Sequence, residues 1–123
     1  MFTMAHFNFN VRDLEASLRF YEEALGLHEV RRVERDGYTL AFLADSHNSP
    51  FALELTWLHD HAQPYDLGEN EIHLAVTADD FDAAHKKHAD LGCIAMDNEA
   101  IGIYFVEDPD GYWIEILRPK ARA

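Results

Sequence analysis

The chain is poor in cysteine, in clustered basic residues and in long apolar runs, and each shortage excludes something. Cys93 is the only cysteine in 123 residues, so an intramolecular disulfide and a zinc-thiolate cluster within one chain are ruled out, and a reduced, cytoplasmic setting fits. Ten Lys and Arg face 23 Asp and Glu, a formal net charge of −13. Nothing forms the basic stripe that phosphate contacts require, which argues against nucleic acid and anionic membranes as partners. No apolar run reaches transmembrane length. The opening MFTMAHFNFNV has no basic flank and goes straight into an alternating pattern, so no signal peptide is expected. With 48% apolar residues, the chain is long enough for one compact unit and short for two independent domains.

What is present is a pattern stated twice. Between Met4 and Val11, Phe7, Phe9 and Val11 alternate with His6, Asn8 and Asn10, as in a half-buried strand. Asp13 offers an N-cap, Leu14, Leu18, Tyr21 and Leu25 recur at helical spacing, and Gly26 offers a stop, which predicts a helix from Leu14 to about Leu25. Strands are expected over Leu27 to Val33, Tyr38 to Ala44 after the Asp36-Gly37 turn, and Phe51 to Trp57 after the loop SHNSP. Residues Leu58 to Glu69 read as a polar linker with Pro64 and Gly68.

The order then repeats. Ile72, Leu74 and Val76 alternate with His73, Ala75 and Thr77; Asp79 or Asp80 caps a helix carrying Phe81, Ala84, His88 and Leu91; Gly92 stops it. Strands follow over Cys93 to Met96, Ile101 to Glu107 and Tyr112 to Leu117. The chain is thus an α+β protein, one domain over 1–123 built of tandem βαβββ modules, the first about 4–57 and the second about 71–118, with curved mixed sheets. Each half is small for a core of its own, so sheets from the two halves, or from halves of two chains, are expected to pair.

The closing stretch FVEDPDGYWIEI is a hairpin. Pro109 presets a turn, Asp108 and Asp110 can bond nearby backbone, and Gly111 can take positive φ. On its exit strand Ile114 and Ile116 point one way and Trp113, Glu115 and Leu117 the other. A carboxylate among such neighbours needs a partner.

Superposing the modules by their helices supplies one. His6 falls over His73, each seven residues before its capping Asp13 or Asp80, and Glu54 of FALEL falls over Glu115. All four point away from the helices. A single strand histidine is more often hydrogen-bonded or solvated than a ligand. Four ligand-type residues at equivalent places in both repeats are a different matter, and two imidazoles with two carboxylates suit a divalent transition metal such as Ni, Co, Zn, Fe or Mn. Other candidates have plainer readings: His59 and His61 in an exposed loop, His85 and His88 on a helix face that packs or lies at the surface, Cys93 a small buried residue, Trp57, Trp113 and Phe105 lining an apolar pocket or the core.

The stretches MAHFNFNVRDLEASLRFYEEALGL, ALELTW, PYDLGENEIHLAV and FVEDPDGYWIEI resemble glyoxalase I (lactoylglutathione lyase) of the vicinal oxygen chelate superfamily over nearly the whole chain. The resemblance implies that His6, Glu54, His73 and Glu115 are metal ligands. It also implies that Glu115 is the catalytic base, with Glu54 second candidate, and that nickel or cobalt is favoured over zinc. The implied reaction detoxifies methylglyoxal: its hemithioacetal with glutathione becomes S-lactoylglutathione through an enediolate. A homodimer is implied, each metal site taking one ligand pair from each subunit. Epimerases acting on acyl-CoA usually carry Gln at the second ligand position, where this chain has Glu54.

The chain departs from that pattern between Gly92 and Ile101, where CIAMDNEA is shorter than the family's glycine-containing loop for glutathione, and at Asn10, where the family often has an Arg for the glutathione carboxylate. A polar residue often found near Leu58 is also absent. Another thiol carrier, another small α-oxo substrate, acyl-CoA epimerisation, or a non-catalytic protein holding a small hydrophobic molecule are the alternatives.

Overall fold

The computed structural model describes residues 1–47 and 49–120; of the expected SHNSP loop, Asn48 lies outside them. The elements are β1 (His6–Asn10), α1 (Leu14–Leu25), β2 (His28–Arg35), β3 (Tyr38–Ala44), β4 (Ala52–Leu58), β5 (His73–Thr77), α2 (Phe81–Leu91), β6 (Ile94–Asn98), β7 (Ile103–Glu107) and β8 (Trp113–Leu117). This is the βαβββ order stated twice. It forms two units, 1–66 and 67–123.

In the first unit the sheet order is β1-β4-β3-β2. β1 runs parallel to β4, and the other pairs are antiparallel. Helix α1 starts where the Asp13 carboxylate accepts the Ala16 amide at 3.1 Å and stops at Gly26, whose φ of 65° lets its amide bond back to the Glu22 carbonyl. Its buried stripe is Leu14, Ser17, Tyr21 and Ala24, so Leu18 and Leu25 flank the stripe rather than centre it. That stripe is buried together with Phe9, Val11, Ala41, Leu43, Leu53 and Leu55 from one face of the sheet.

The second unit repeats the topology as β5-β8-β7-β6, with β5 parallel to β8. Asp80 rather than Asp79 caps α2, and Gly92 ends it at φ 71°. Of the expected stripe on α2, His88 is buried and Leu91 is exposed. Tyr104, Val106, Ile114 and Ile116 make the rest of the core, with Phe81 edge-on to Tyr104. The turn between β7 and β8 is held by Asp108, which accepts from the amides of Asp110 and Tyr112 at 2.9 Å each, while Gly111 takes φ 92°.

Candidate active site

Strand alternation sets which residues share the face turned away from each core. In the first unit the parallel register pairs His6 with Ala52 and Asn8 with Glu54, and Phe42 lies opposite Glu54 on β3. In the second, His73 pairs with Trp113, Ala75 with Glu115, and Phe105 lies opposite Glu115. Each histidine therefore has a carboxylate one strand over and a phenylalanine beyond it.

The two pairs have the same dimensions. His6 Nε2 lies 3.4 Å from Glu54 Oε1, and His73 Nε2 lies 3.4 Å from Glu115 Oε1. The rings stand edge-on to their phenylalanines, His6 to Phe42 at 5.8 Å and His73 to Phe105 at 5.2 Å between centroids. The carboxylates are largely sheltered, 13% and 18% exposed, and the imidazoles more open, at 43% and 39%. A separation of 3.4 Å exceeds the roughly 2.7–3.2 Å of a nitrogen–oxygen hydrogen bond. Two donors each about 2.1 Å from one cation stand about 3.0–3.4 Å apart. A neutral imidazole and a carboxylate at that spacing, both on sheet rather than loop, are a donor pair a divalent cation accepts. Among the described residues, no three His, Cys, Asp or Glu side chains gather into one metal-holding group, so each pair stands by itself.

Four of the other six histidines have contacts of their own. His59 Nε2 is 2.9 Å from Thr39 Oγ1, and its ring lies against Trp57. His61 lies in the expected exposed loop, its neighbours Asp60 and Ala62 exposed, and stacks on Tyr65 at 3.9 Å with its Nδ1 buried. His85 pairs with Asp97 at 2.6 Å, and His88 Nδ1 meets Tyr104 Oη at 2.8 Å in the core. Burial pushes the Tyr104 phenol up to about 12, with Cys93 and Asp97 adding to the effect. Cys93 is half-buried rather than buried, and removal from water raises its thiol above the ordinary range. No residue beside it supplies the cation that would make a reactive thiolate.

Phe42 and Asn8 were not singled out by the sequence. Alternation alone places Asn8 on the face of His6; nothing in sequence shows that the register sets it against Glu54.

The family model of the Glyoxalase/Bleomycin resistance protein/Dioxygenase superfamily matches residues 3–116. The chain belongs to this superfamily. Within it the chain is glyoxalase I-like. It is 35% identical to a lactoylglutathione lyase of Neisseria meningitidis, over 96% of this chain and 91% of that protein. It is 32% identical to a probable lactoylglutathione lyase of Synechocystis, over 97% of each. Among solved structures, a trypanothione-dependent glyoxalase I of Leishmania major superposes with a TM-score of 0.84 at 33% identity, covering 96% of this chain and 87% of that one. No helix among the described residues is long and apolar enough to cross a membrane.

Proposed function

We propose that the chain is a metal-dependent isomerase that converts the hemithioacetal of a 2-oxoaldehyde and a thiol into a 2-hydroxyacyl thioester, as methylglyoxal and glutathione would give S-lactoylglutathione. The observation that carries this is the repeated His–Glu pair, whose 3.4 Å gap in both units suits co-ligands of one cation better than a hydrogen bond. His6, Glu54, His73 and Glu115 would hold the cation, nickel or cobalt in preference to zinc. A homodimer in which each site takes one pair from each of two chains completes the set, and the reducing cytoplasm suits a chain whose one cysteine has no partner.

When bound, the cation supplies Lewis-acid stabilisation of the oxyanion that develops on the substrate. Glu115 does the proton chemistry. Its carboxylate takes the proton from the carbon bearing sulfur and hydroxyl, leaving an enediolate, and returns it to the neighbouring former carbonyl carbon. A second proton passes from the hydroxyl of the sulfur-bearing carbon to the former carbonyl oxygen; one carbon is oxidised as its neighbour is reduced, so no redox partner is needed. The surroundings of Glu115, with Ala75 and Phe105 paired to it across the strands, are apolar, which keeps water from competing for the proton.

One observation favours a thiol other than glutathione. β6 and β7 are joined by a tight turn in which the Gly102 amide bonds the carbonyls of Asn98 and Glu99 at 3.1 and 3.3 Å, where the family carries its longer glycine-containing loop. The Leishmania major glyoxalase that the chain resembles is trypanothione-dependent. The test is chelator-stripped protein reloaded in turn with nickel, cobalt and zinc and assayed on methylglyoxal with glutathione and then with trypanothione. Turnover restored by metal with either thiol supports the reading. Metal binding without turnover on both rejects these cosubstrates.

A further inference from the structure

The two carboxylates are not held alike, and the difference assigns their roles. Across the strand from Glu54 stands Asn8; across the strand from Glu115 stands Ala75. One end of the Asn8 amide lies 3.0 Å from Glu54 Oε1, 3.2 Å from the Glu54 carbonyl oxygen and 2.5 Å from Thr56 Oγ1. The two Glu54 oxygens can only accept, and the Thr56 hydroxyl can donate or accept, so the amide nitrogen belongs at that end, donating into Glu54, and the Asn8 oxygen faces the Asn10 amide at 2.7 Å. Thr56 is the cross-strand partner of Asn10, and its counterpart beside β5 is Leu117, paired with Thr77. The second unit thus replaces an amide and a hydroxyl by a methyl and an isobutyl group. The contact of Glu115 is with His73 at 3.4 Å, too long to tether it.

We infer that Asn8 is a positioning residue that fixes Glu54 in a ligand conformation and thereby leaves the proton transfer to Glu115. This rests on the isomerase reading above. A carboxylate that accepts an amide hydrogen bond is confined to one rotamer and presents one oxygen toward its histidine, which suits a permanent ligand. A base must swing toward a substrate carbon and back, and Glu115, bordered by Ala75, Phe105 and Trp113, has among the described residues no amide in the place Asn8 takes beside Glu54.

The experiment compares nickel binding to chelator-stripped protein by calorimetry and turnover of the reloaded enzyme, in four forms: the parent, Asn8→Ala, Glu115→Gln, and the double variant. Asn8→Leu, close to Asn in size, controls for packing. Asn8→Ala and Asn8→Leu are both expected to weaken nickel binding about tenfold, the usual effect of removing a group that orients a ligand. In the Glu115→Gln background, Asn8→Ala is expected to raise turnover several-fold, because a released Glu54 takes over part of the proton transfer. A merely structural role would lower turnover in both backgrounds. Unchanged nickel affinity in both Asn8 variants, or a double variant slower than Glu115→Gln alone, overturns the inference while leaving the metal site standing. A parent chain that binds no nickel overturns the isomerase reading and this inference with it.

Discussion

The two units build the same layer from opposite halves of it. Tyr21 in α1 and His88 in α2 each stand eight residues beyond the capping aspartate and are buried. Ala41 in β3 and Tyr104 in β7 each directly precede the phenylalanine that backs the histidine, and both are buried. In the first unit the helix supplies the large ring and the strand the methyl; in the second the strand supplies the ring and the helix a polar imidazole, joined to it at 2.8 Å. The second core holds the His88–Tyr104 contact, and the first buries Ser17 and Thr39 among its apolar side chains. The outward faces differ too: Asn8 stands across the strand from Glu54, and Ala75 across from Glu115.

The comparison breaks most visibly at the carboxylates. Glu115→Gln is expected to lose turnover by about 10²–10⁴-fold, the worth of a general base, while retaining more metal than it loses. Glu54→Gln is expected to lose metal first, with turnover per bound cation changed far less. Steady-state rates normalised to metal content separate the two, and equal losses would mean that the units do not divide the roles.

The cores come next. Leu55→Ala empties a fully buried site in the first unit and is expected to cost about 2–5 kcal/mol in denaturant unfolding. Tyr104→Phe keeps the ring but withdraws the hydroxyl from His88 Nδ1 and is expected to cost about 1–3 kcal/mol. A neutral Tyr104→Phe would show that the second core is held by its rings alone.

Smaller effects sharpen the contrast with pH. Tyr104 is expected to ionise late, near 12. Its phenol is neutral in the fold and ionises nearer 10 when unfolded, so this contribution to stability is complete below pH 10 and drains away between about pH 10 and 12. Absorbance titration near 295 nm follows it, and Tyr104→Phe should remove the late step. The smallest effect is at Cys93, whose raised thiol is expected to alkylate more slowly at pH 8 in the folded protein than after unfolding.

Much of this was legible in sequence because local chemistry dictates it. The pairs Asp13 with Gly26 and Asp80 with Gly92 bound both helices in the structure, since caps and left-handed stops depend only on neighbouring residues. Alternation placed His6, Glu54, His73 and Glu115 on outward faces, and the repeat indicated which to compare. What escaped depended on partners distant in sequence. The loop around His61 is exposed as its polarity and proline predict, but the stacking of His61 on Tyr65 was not legible, because ring contacts leave no periodic trace. The grip of Asn8 on Glu54 needs the parallel register of strands more than forty residues apart, and period-two patterning gives a face but never the neighbour across it.

The most direct test of the account is the metal content of four single variants, His6→Ala, Glu54→Ala, His73→Ala and Glu115→Ala, each equilibrated with nickel and desalted beside the parent chain. With two donor pairs per chain and four ligands per cation, the parent should hold one nickel per chain and each variant far less. Full stoichiometric nickel in His73→Ala would contradict the claim that the pairs of both units hold one catalytic cation.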